Sequence, residues 1–501
     1  MKDILFNKEA FDRMMEGFDA TADAVTGTLG PNGRNVFIDD PIMPHVTNDG
    51  HTIANAITFP DKFKNMGSWV VRNSSAQTND DAGDGTTTTA VLLQEIVHES
   101  LKRPENPMAI KVSLQNAAKA IVERIKSIST PITGDDAKKV ALISAENEEL
   151  ATLVSDIVAK VGTKGVVMVE DSRTFETSSE VMEGYEANAG FMSPHFATDN
   201  GKATFENTAV FVAQKKIATV MDIKPLFDQI QAKGLSQLVI VCEDIDPQIL
   251  GILVVNKLQG KLNIVVIKAS GAELEDIAAT VGASIVSDST GITFESLDIL
   301  KHFGKADKVV SGERKTLFVA NTEAGKAHAE RIKALADNNS NLIERERIMK
   351  RVAKLTGGIG IIRIGAATTL DRVYKMHKVE DAVAAVKSAL EEGVVEGGGM
   401  ALWRIAAEMQ PKTVGEEILK KALTKPLRKI IENCGKDYTE IIIAMPQGQG
   451  YDAKNDCYTD MIASGIIDPA KVERVALENA VSNAALFITA HAVIVDAKPE
   501  I

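Results

Sequence analysis

The chain is poor in cysteine. Cys242, Cys434 and Cys457 are the only three in 501 residues, an odd number at wide spacing. That excludes a disulfide framework and a cysteine metal site, and it suits small buried apolar side chains in a reducing compartment. Aromatics are scarce, at 5%, so the cores must be built from Ala, Val, Ile, Leu and Met. Positive charge is outweighed: the net charge of −13 argues against nucleic acid or an anionic membrane as partner. No apolar run is long enough for a membrane span, since the late stretch Ala484 to Val495 is interrupted by His491. The start, Met1-Lys2-Asp3-Ile4-Leu5-Phe6, has no apolar core of a signal peptide. A soluble cytoplasmic protein is expected. No Gly-x-x-x-x-Gly-Lys-Thr pattern occurs, which excludes a P-loop. Short repeats and low-complexity segments are also missing.

Length and patterning define what is present. A chain of 501 residues is too long for one core and predicts two to four domains. At the start Phe6, Ala10, Met14, Phe18, Ala22 and Val25 recur at helical spacing, and Gly27 ends the pattern. Helical spacing continues over Gly85 to Leu101 and Ala109 to Ile128. It returns over Val379 to Glu392, Ala401 to Met409, Gly415 to Asn433 and Lys471 to Ala492. The middle alternates helices with β-rich runs: Leu238 to Val241, Asn263 to Ile267 and Thr316 to Val319. The pattern predicts a multidomain α/β protein, in which a helical domain built from both termini carries an inserted α/β domain. Thr130-Pro131, Gly184, Gly357-Gly358 and Gly393 are candidate joints.

The segment most loaded with chemistry is Asp80-Asp81-Ala82-Gly83-Asp84-Gly85-Thr86-Thr87-Thr88-Thr89. A carboxylate stands between two glycines, and hydroxyls follow at a helix start. Free N–H groups there favour a phosphate, glycines let the backbone approach it, and an Asp suits Mg2+. The same residues alone read equally as a solvated helix cap. Other segments stand in order around them. They are Thr28-Leu29-Gly30-Pro31-Asn32-Gly33, Thr47-Asn48-Asp49-Gly50, Val379-Glu380-Asp381-Ala382, Glu391 to Gly399, Gly450-Tyr451-Asp452-Ala453 and Gly465 to Pro469. As a set in register, they closely resemble the group I (bacterial, GroEL-like) chaperonins. The resemblance runs over almost the whole chain, and is thinner between about Gly190 and Ser340.

The resemblance implies an equatorial domain (1–131 and 394–501), an intermediate domain (132–184 and 359–393) and an inserted apical domain (185–358). It implies an ATPase with ATP and Mg2+ as ligands, and leaves room for K+. Thr28, Leu29, Gly30 and Pro31 match the first phosphate loop. Gly83, Asp84, Gly85, Thr86, Thr87 and Thr88 match the second, with Asp84 the Mg2+ ligand. Gly397 and Gly398 match glycines beside base and ribose. Asp452 and Ala453 match residues near the base. Asp468 matches a ribose acceptor, and before Pro469 it also reads as a helix N-cap. Asp381 matches the catalytic Asp, held on a helix far along the chain and expected to wait for a hinge. Asp49 matches a second carboxylate near the attacking water.

For client proteins, the implied apolar surface takes in Phe191, His195 and Phe196, then Leu226 and Phe227, then Leu250, Val254 and Val255. In an isolated sequence the two helical sets read as core. Implied partners are unfolded or partly folded proteins, a homo-oligomeric ring, heptameric in the family, and a GroES-like lid. Departures also stand out. Asn48 replaces the usual Lys, and Asp452 replaces the usual Asn. Ala189 and Thr369 fall where the family has an inter-subunit salt bridge. The loop Met409 to Val414 is short at a ring–ring contact, where Arg428 and Asp437 keep opposite charges. The chain closes on Lys498-Pro499-Glu500-Ile501 without the family's Gly-Gly-Met tail. The leading expectation is an ATP-driven chaperonin. A ring-forming holdase or scaffold with weak ATPase is the alternative. A metabolic kinase has no acceptor motif to support it.

Overall fold

A computed structural model describes residues 2–39, 44–132, 134–163, 165–172, 174–198, 201–320, 322–337 and 342–496. The closing Lys498-Pro499-Glu500-Ile501 lies outside them. The chain divides into two compact units. The first comprises 1–158, 169–178 and 363–501, and the second 159–168 and 179–362.

The first unit is helical, as its 3.6-residue spacing predicts. Helices Asn7–Thr26, Lys62–Ala82, Thr86–Leu101, Pro107–Ile128 and Ala470–Phe487 surround a core of Phe18, Ile53, Leu92, Leu93, Leu114, Leu419 and Leu477. Its small side chains allow unusually close helix crossings. A Cβ on Gly17 would lie 1.9 Å from the Lys64 carbonyl oxygen, and one on Gly67 would lie 1.8 Å from that of Met14. Backbone therefore touches backbone where Asn7–Thr26 crosses Lys62–Ala82.

Two predicted helices end differently. Gly415 to Asn433 is two helices, Val414–Ala422 and Lys425–Asn433, broken where Pro426 enters the second helix without an N–H. The last long helix stops at Phe487. Residues Ala492–Asp496 then form a strand antiparallel to Lys2–Phe6, with Lys2 opposite Asp496. A β-rich tail finds an edge there that local spacing does not reveal. Short strands Val394–Glu396 and Ile467–Pro469 also pair, with Val395 opposite Asp468.

The second unit is α/β. Its sheet includes, in order, Ser178–Ala187, Thr316–Val319, Gly304–Ser311, Ala203–Ala213, Gln237–Cys242 and Asn263–Lys268. The last three are parallel. They are linked by helices Val220–Lys233 and Pro247–Leu258; Gln237–Cys242 and Asn263–Lys268, buried on both faces, read as continuous Val and Ile runs, while the first half of Ala203–Ala213 carries exposed polar residues. Asp246 caps the second helix on the Gln248 N–H, with Pro247 at its first turn.

The glycine crossing gives a direct test. Gly67→Ala should cost about 2–4 kcal/mol, the scale of overpacking or backbone displacement in a core. Urea unfolding of the first-unit transition reads it, and a change below about 0.5 kcal/mol would contradict the close approach.

Candidate functional site

Three of the predicted segments meet at Thr86 and Thr87. Helix Thr86–Leu101 is entered through Gly85, at φ 83°, and no side chain caps it. Its first N–H groups are thus free to receive an anion. A Cβ on Gly50 would lie 2.5 Å from Thr87 Oγ1 and 2.9 Å from Thr86 Oγ1, so the Asp49–Gly50 turn presses onto the same hydroxyls. Thr28 Oγ1 lies 3.5 Å from Thr87 Oγ1. The loop after Thr28 is tight: the Gly33 N–H donates to the Gly30 carbonyl at 2.9 Å, and Gly30 has φ 86°. Asn433 ties the loop down, donating to the carbonyls of Thr26 and Leu29 at 3.2 and 2.9 Å.

The Gly83-Asp84-Gly85 turn is clamped on both sides. A Cβ on Gly83 would sit 2.4 Å from Ala384 Cβ, and one on Gly85 would sit 2.6 Å from Val472 Cγ1. Ala384 is on helix Thr369–Glu392, which also carries Asp381. In this conformation Asp381 stands in the field of Asp84 and Asp49. Burial, then those two charges, holds the Asp381 carboxyl well above the usual range, against the pull of Lys378. Burial likewise raises Asp84, opposed by hydrogen bonds from the Gly85 N–H at 2.6 Å and the Ser144 hydroxyl at 3.3 Å, and by Lys378. Asp49 caps helix Gly50–Ala56, accepting from the His51 and Thr52 N–H groups at 3.3 and 2.7 Å.

Asp468 does not cap the following helix, whose N-cap is Pro469. The pairing of Val395 with Asp468 turns its carboxyl back to the glycine loop, where Oδ2 accepts the Gly398 N–H at 3.0 Å. A Cβ on Gly397 would lie 3.0 Å from Asp468 Oδ1, which explains glycine there. An apolar cluster lies beside this loop: Met400, Tyr451, Ala453 and Met461, with Leu29 and Ile466 packed on it. Asp452 is committed locally. Oδ1 accepts the Lys454 and Asn455 N–H groups and Oδ2 the Asn455 side chain, at 2.9, 3.1 and 2.7 Å. Its carboxylate is thus engaged in its own hairpin turn, a use that its position in the motif does not reveal.

Lys378 and Ser144 are site residues that sequence reading missed. Lys378 lies one helical turn before Asp381, a spacing that could have flagged it. It pairs with Glu146 at 2.7 Å and faces both Asp84 and Asp381. Asn48 bonds the Tyr374 hydroxyl. Among the described residues no three acidic or imidazole side chains are set to hold a metal alone. The donor set still fits a hard cation that takes its other ligands from phosphate oxygens, because Asp49, Asp84 and Asp381 outnumber Lys378. A separate cleft of about 690 Å³, lined by Asp23, His98, Lys421, Lys425 and Glu432 among others, contains none of these residues.

The expected client face is only partly at the surface of the second unit. Phe191, Phe196 and Leu226 are buried in its core and offer no surface in this conformation. Phe196 carries Lys257 against its ring and carbonyl, and Leu226 lies on the inward side of its helix. Phe227, Leu250 and Val254 are half-buried and packed on that core. His195 and Val255 are exposed. Helix Pro247–Leu258 turns out Ile252, Val255 and Leu258, and helix Val220–Lys233 starts with exposed Val220 and Met221. The charges expected at a ring–ring contact are used internally. Arg428 lies over the Tyr438 ring at 4.5 Å, and Asp437 caps helix Tyr438–Ala444 through the Glu440 N–H at 2.9 Å. Ala189 is buried and Thr369 opens its helix.

A helical unit built from both termini, an α/β insertion and a glycine-clamped turn at an uncapped helix start together define the class of fold. The pattern of the TCP-1/cpn60 chaperonin family matches residues 21–498. The chain belongs to that family. Two crystal structures of the chaperonin gp146 from bacteriophage EL 2 (Pseudomonas aeruginosa), both in presence of ATP-BeFx, share its fold. Each is 21% identical and covers 99% of both chains, with TM-scores of 0.70 and 0.65. No helix among the described residues is long and apolar enough to cross a membrane.

The raised carboxyls predict a pH effect. A group whose folded-state pKa exceeds its unfolded value contributes stability at low pH and loses it as pH rises through the folded value. Asp381→Asn should therefore raise the melting temperature of the nucleotide-free protein at pH 8 by roughly 2 °C or more. The gain should vanish near pH 4. An equal shift at both pH values would show that Asp381 is not held under this strain.

Proposed function

We propose that this chain is the subunit of an ATP-driven chaperonin ring that captures non-native proteins and releases them under control of ATP binding and hydrolysis. The observation that carries the reading is the meeting of Asp49, Asp84 and Asp381 at an uncapped helix start with the Thr86 and Thr87 hydroxyls. The free N–H groups and hydroxyls of Thr86 to Thr88, with the Thr28 to Pro31 loop, receive the phosphates. The apolar cluster around Leu29, Ala453 and Met461 takes the base, and Gly397, Gly398 and Asp468 take the ribose.

Asp84 would hold Mg2+, which when bound would supply positive charge against the phosphate oxygens. Asp381, whose carboxyl is held above the usual range, takes the proton of the attacking water, and Asp49 orients that water. Lys378 limits the repulsion among the three acids. The holdase alternative drew on the charge missing at Asn48, and Lys378 weakens it.

The three-part division into equatorial, intermediate and apical domains belongs to this proposal. So do a cytoplasmic location, a heptameric ring, a lid and an accessory K+. Clients are bound through Ile252, Val255 and Leu258, the outward residues next to the expected Leu250 and Val254. Ring stacking is weak, because Arg428 and Asp437 have partners inside the subunit.

Asp381→Ala should retain ATP binding and lose turnover by at least ~100-fold, the scale for a positioned acid–base group. Asp84→Ala should weaken Mg·ATP binding itself. Steady-state ATPase and calorimetry read both, and near-normal turnover of the Asp381 variant would refute its catalytic role.

Ile252→Ser combined with Val255→Ser should abolish capture of an unfolded client. It should move the melting temperature by less than roughly 2 °C, because both side chains already face water. Undiminished capture by a folded double variant would move the client site elsewhere.

A further inference from the structure

Glu473 is a buried acid to which the nucleotide site, as described, gives no role. It lies on the first turn of helix Ala470–Phe487, is 5% exposed, and its Oε2 meets no hydrogen-bond partner. The charged groups facing it from other elements are Asp468, within hydrogen-bond reach, and Asp84. Its basic neighbours on the helix are engaged elsewhere. Lys471 pairs with Glu391 at 2.8 Å, and Arg474 with Glu392 and Glu478. Two carboxyls in contact, buried and without a counter-cation, cannot both ionise cheaply; such a pair holds one proton between its members.

The proton rests on the Glu473 side of the pair, because a backbone N–H favours the charged form of Asp468. Its Oδ2 is tied to the Gly398 N–H, while Oδ1 lies where a Cβ on Gly397 would touch it. We propose that Glu473 is a positioning residue of the nucleotide site acting through Asp468: one proton shared by the two carboxyls keeps Asp468 on the glycine turn, and nucleotide binds this protonated pair. The inference rests on the nucleotide reading above and deepens it, by making binding proton-linked. Burial, then the charges of Asp468 and Asp84, pushes Glu473 up to about 8. Burial and Asp84 push Asp468 up to about 7. The pair thus keeps a proton at neutral pH and gives it up toward pH 9. Mg·ATP remains a net anion with its cation counted, so its arrival beside Asp84 favours the protonated pair and binding above neutrality takes a proton up.

The test is calorimetry of Mg·ATP binding between pH 7 and 9, in buffers of different ionisation enthalpy. Mg·ATP itself is fully ionised over this range. The wild type should take up protons near pH 8 and lose affinity by about fivefold to tenfold across the range, as expected for one linked group. Glu473→Gln keeps a permanent N–H toward Asp468, so its affinity should be flat and its proton uptake lost. Asp468→Asn should lose the uptake as well. Equal uptake in wild type and Glu473→Gln, or none in wild type, overturns the proposal.

The nucleotide-free protein supplies a second arm. Glu473 contributes stability below its unfolded value and loses it as pH rises through about 8. The melting temperature of Glu473→Gln should therefore fall less over that range than that of wild type. If that difference is found but wild type binds no ATP at any pH, the buried pair stands. The nucleotide reading then falls, and the proposed positioning role with it.

Discussion

The clamp on the Gly83-Asp84-Gly85 turn is the constraint on which the rest of the first unit depends. Ala384 presses on one glycine and Val472 on the other, at distances that no Cβ could share. The turn therefore fixes two long helices, Thr369–Glu392 and Ala470–Phe487, relative to the start of a third, Thr86–Leu101. Those helices carry the acids that matter. Asp381 lies one turn before Ala384, and Glu473 follows Val472 directly. A side chain at position 83 or 85 would push these helices away and would move the carboxylates with them.

The same clamp creates an electrostatic problem. It assembles Asp49, Asp84, Asp381, Asp468 and Glu473 around a protein interior that offers Lys378 as counter-charge. Packing supplies the free energy to hold such a cluster, because Val472, Val475 and Ala82 are buried beside it. The cluster is then poised for a cation. A cation held at Asp84 would relieve the repulsion among Asp49, Asp84 and Asp381 and stabilise the folded state by linkage. A site of this kind gains its affinity partly from strain already present in the empty protein.

Much of this was legible in the sequence, for identifiable reasons. Helices with an apolar stripe announce themselves locally, and so did Asn7–Thr26, Thr86–Leu101 and Pro107–Ile128. Strands Gln237–Cys242 and Asn263–Lys268 did too, because burial on both faces demands unbroken Val and Ile; their parallel neighbour Ala203–Ala213, with polar residues in its first half, did not. The break at Pro426 was readable in principle, since proline removes the N–H that a continuous helix needs. What stayed hidden depends on partners far along the chain. Lys2–Phe6 meets Ala492–Asp496, nearly the whole sequence away. Asp468 looked like an N-cap because Pro469 follows it, yet strand pairing with Val395 turned its carboxyl to Gly398. Glu473 carries no local signal at all: a Glu on the first turn of a helix is ordinary until a second acid is folded against it.

Apolar side chains pose the complementary difficulty. On helix Pro247–Leu258 nearly every residue after Gln248 is apolar, so periodicity cannot say which ones face the sheet. Burial divides them. Ile249 and Leu253 point inward, Leu250 and Val254 lie on the boundary, and Ile252, Val255 and Leu258 face water. A helix serving stability alone would carry polar residues at those last positions, since exposing three large side chains forgoes solubility for no gain in packing. The capping supports the same conclusion. Asp246 and Pro247 give this helix a firm start, so its outward apolar face does not depend on a neighbour to order it. A rigid helix with apolar residues on both faces can pack on its own sheet and still present a surface to chains of no particular sequence. Binding by non-directional apolar contact needs that combination.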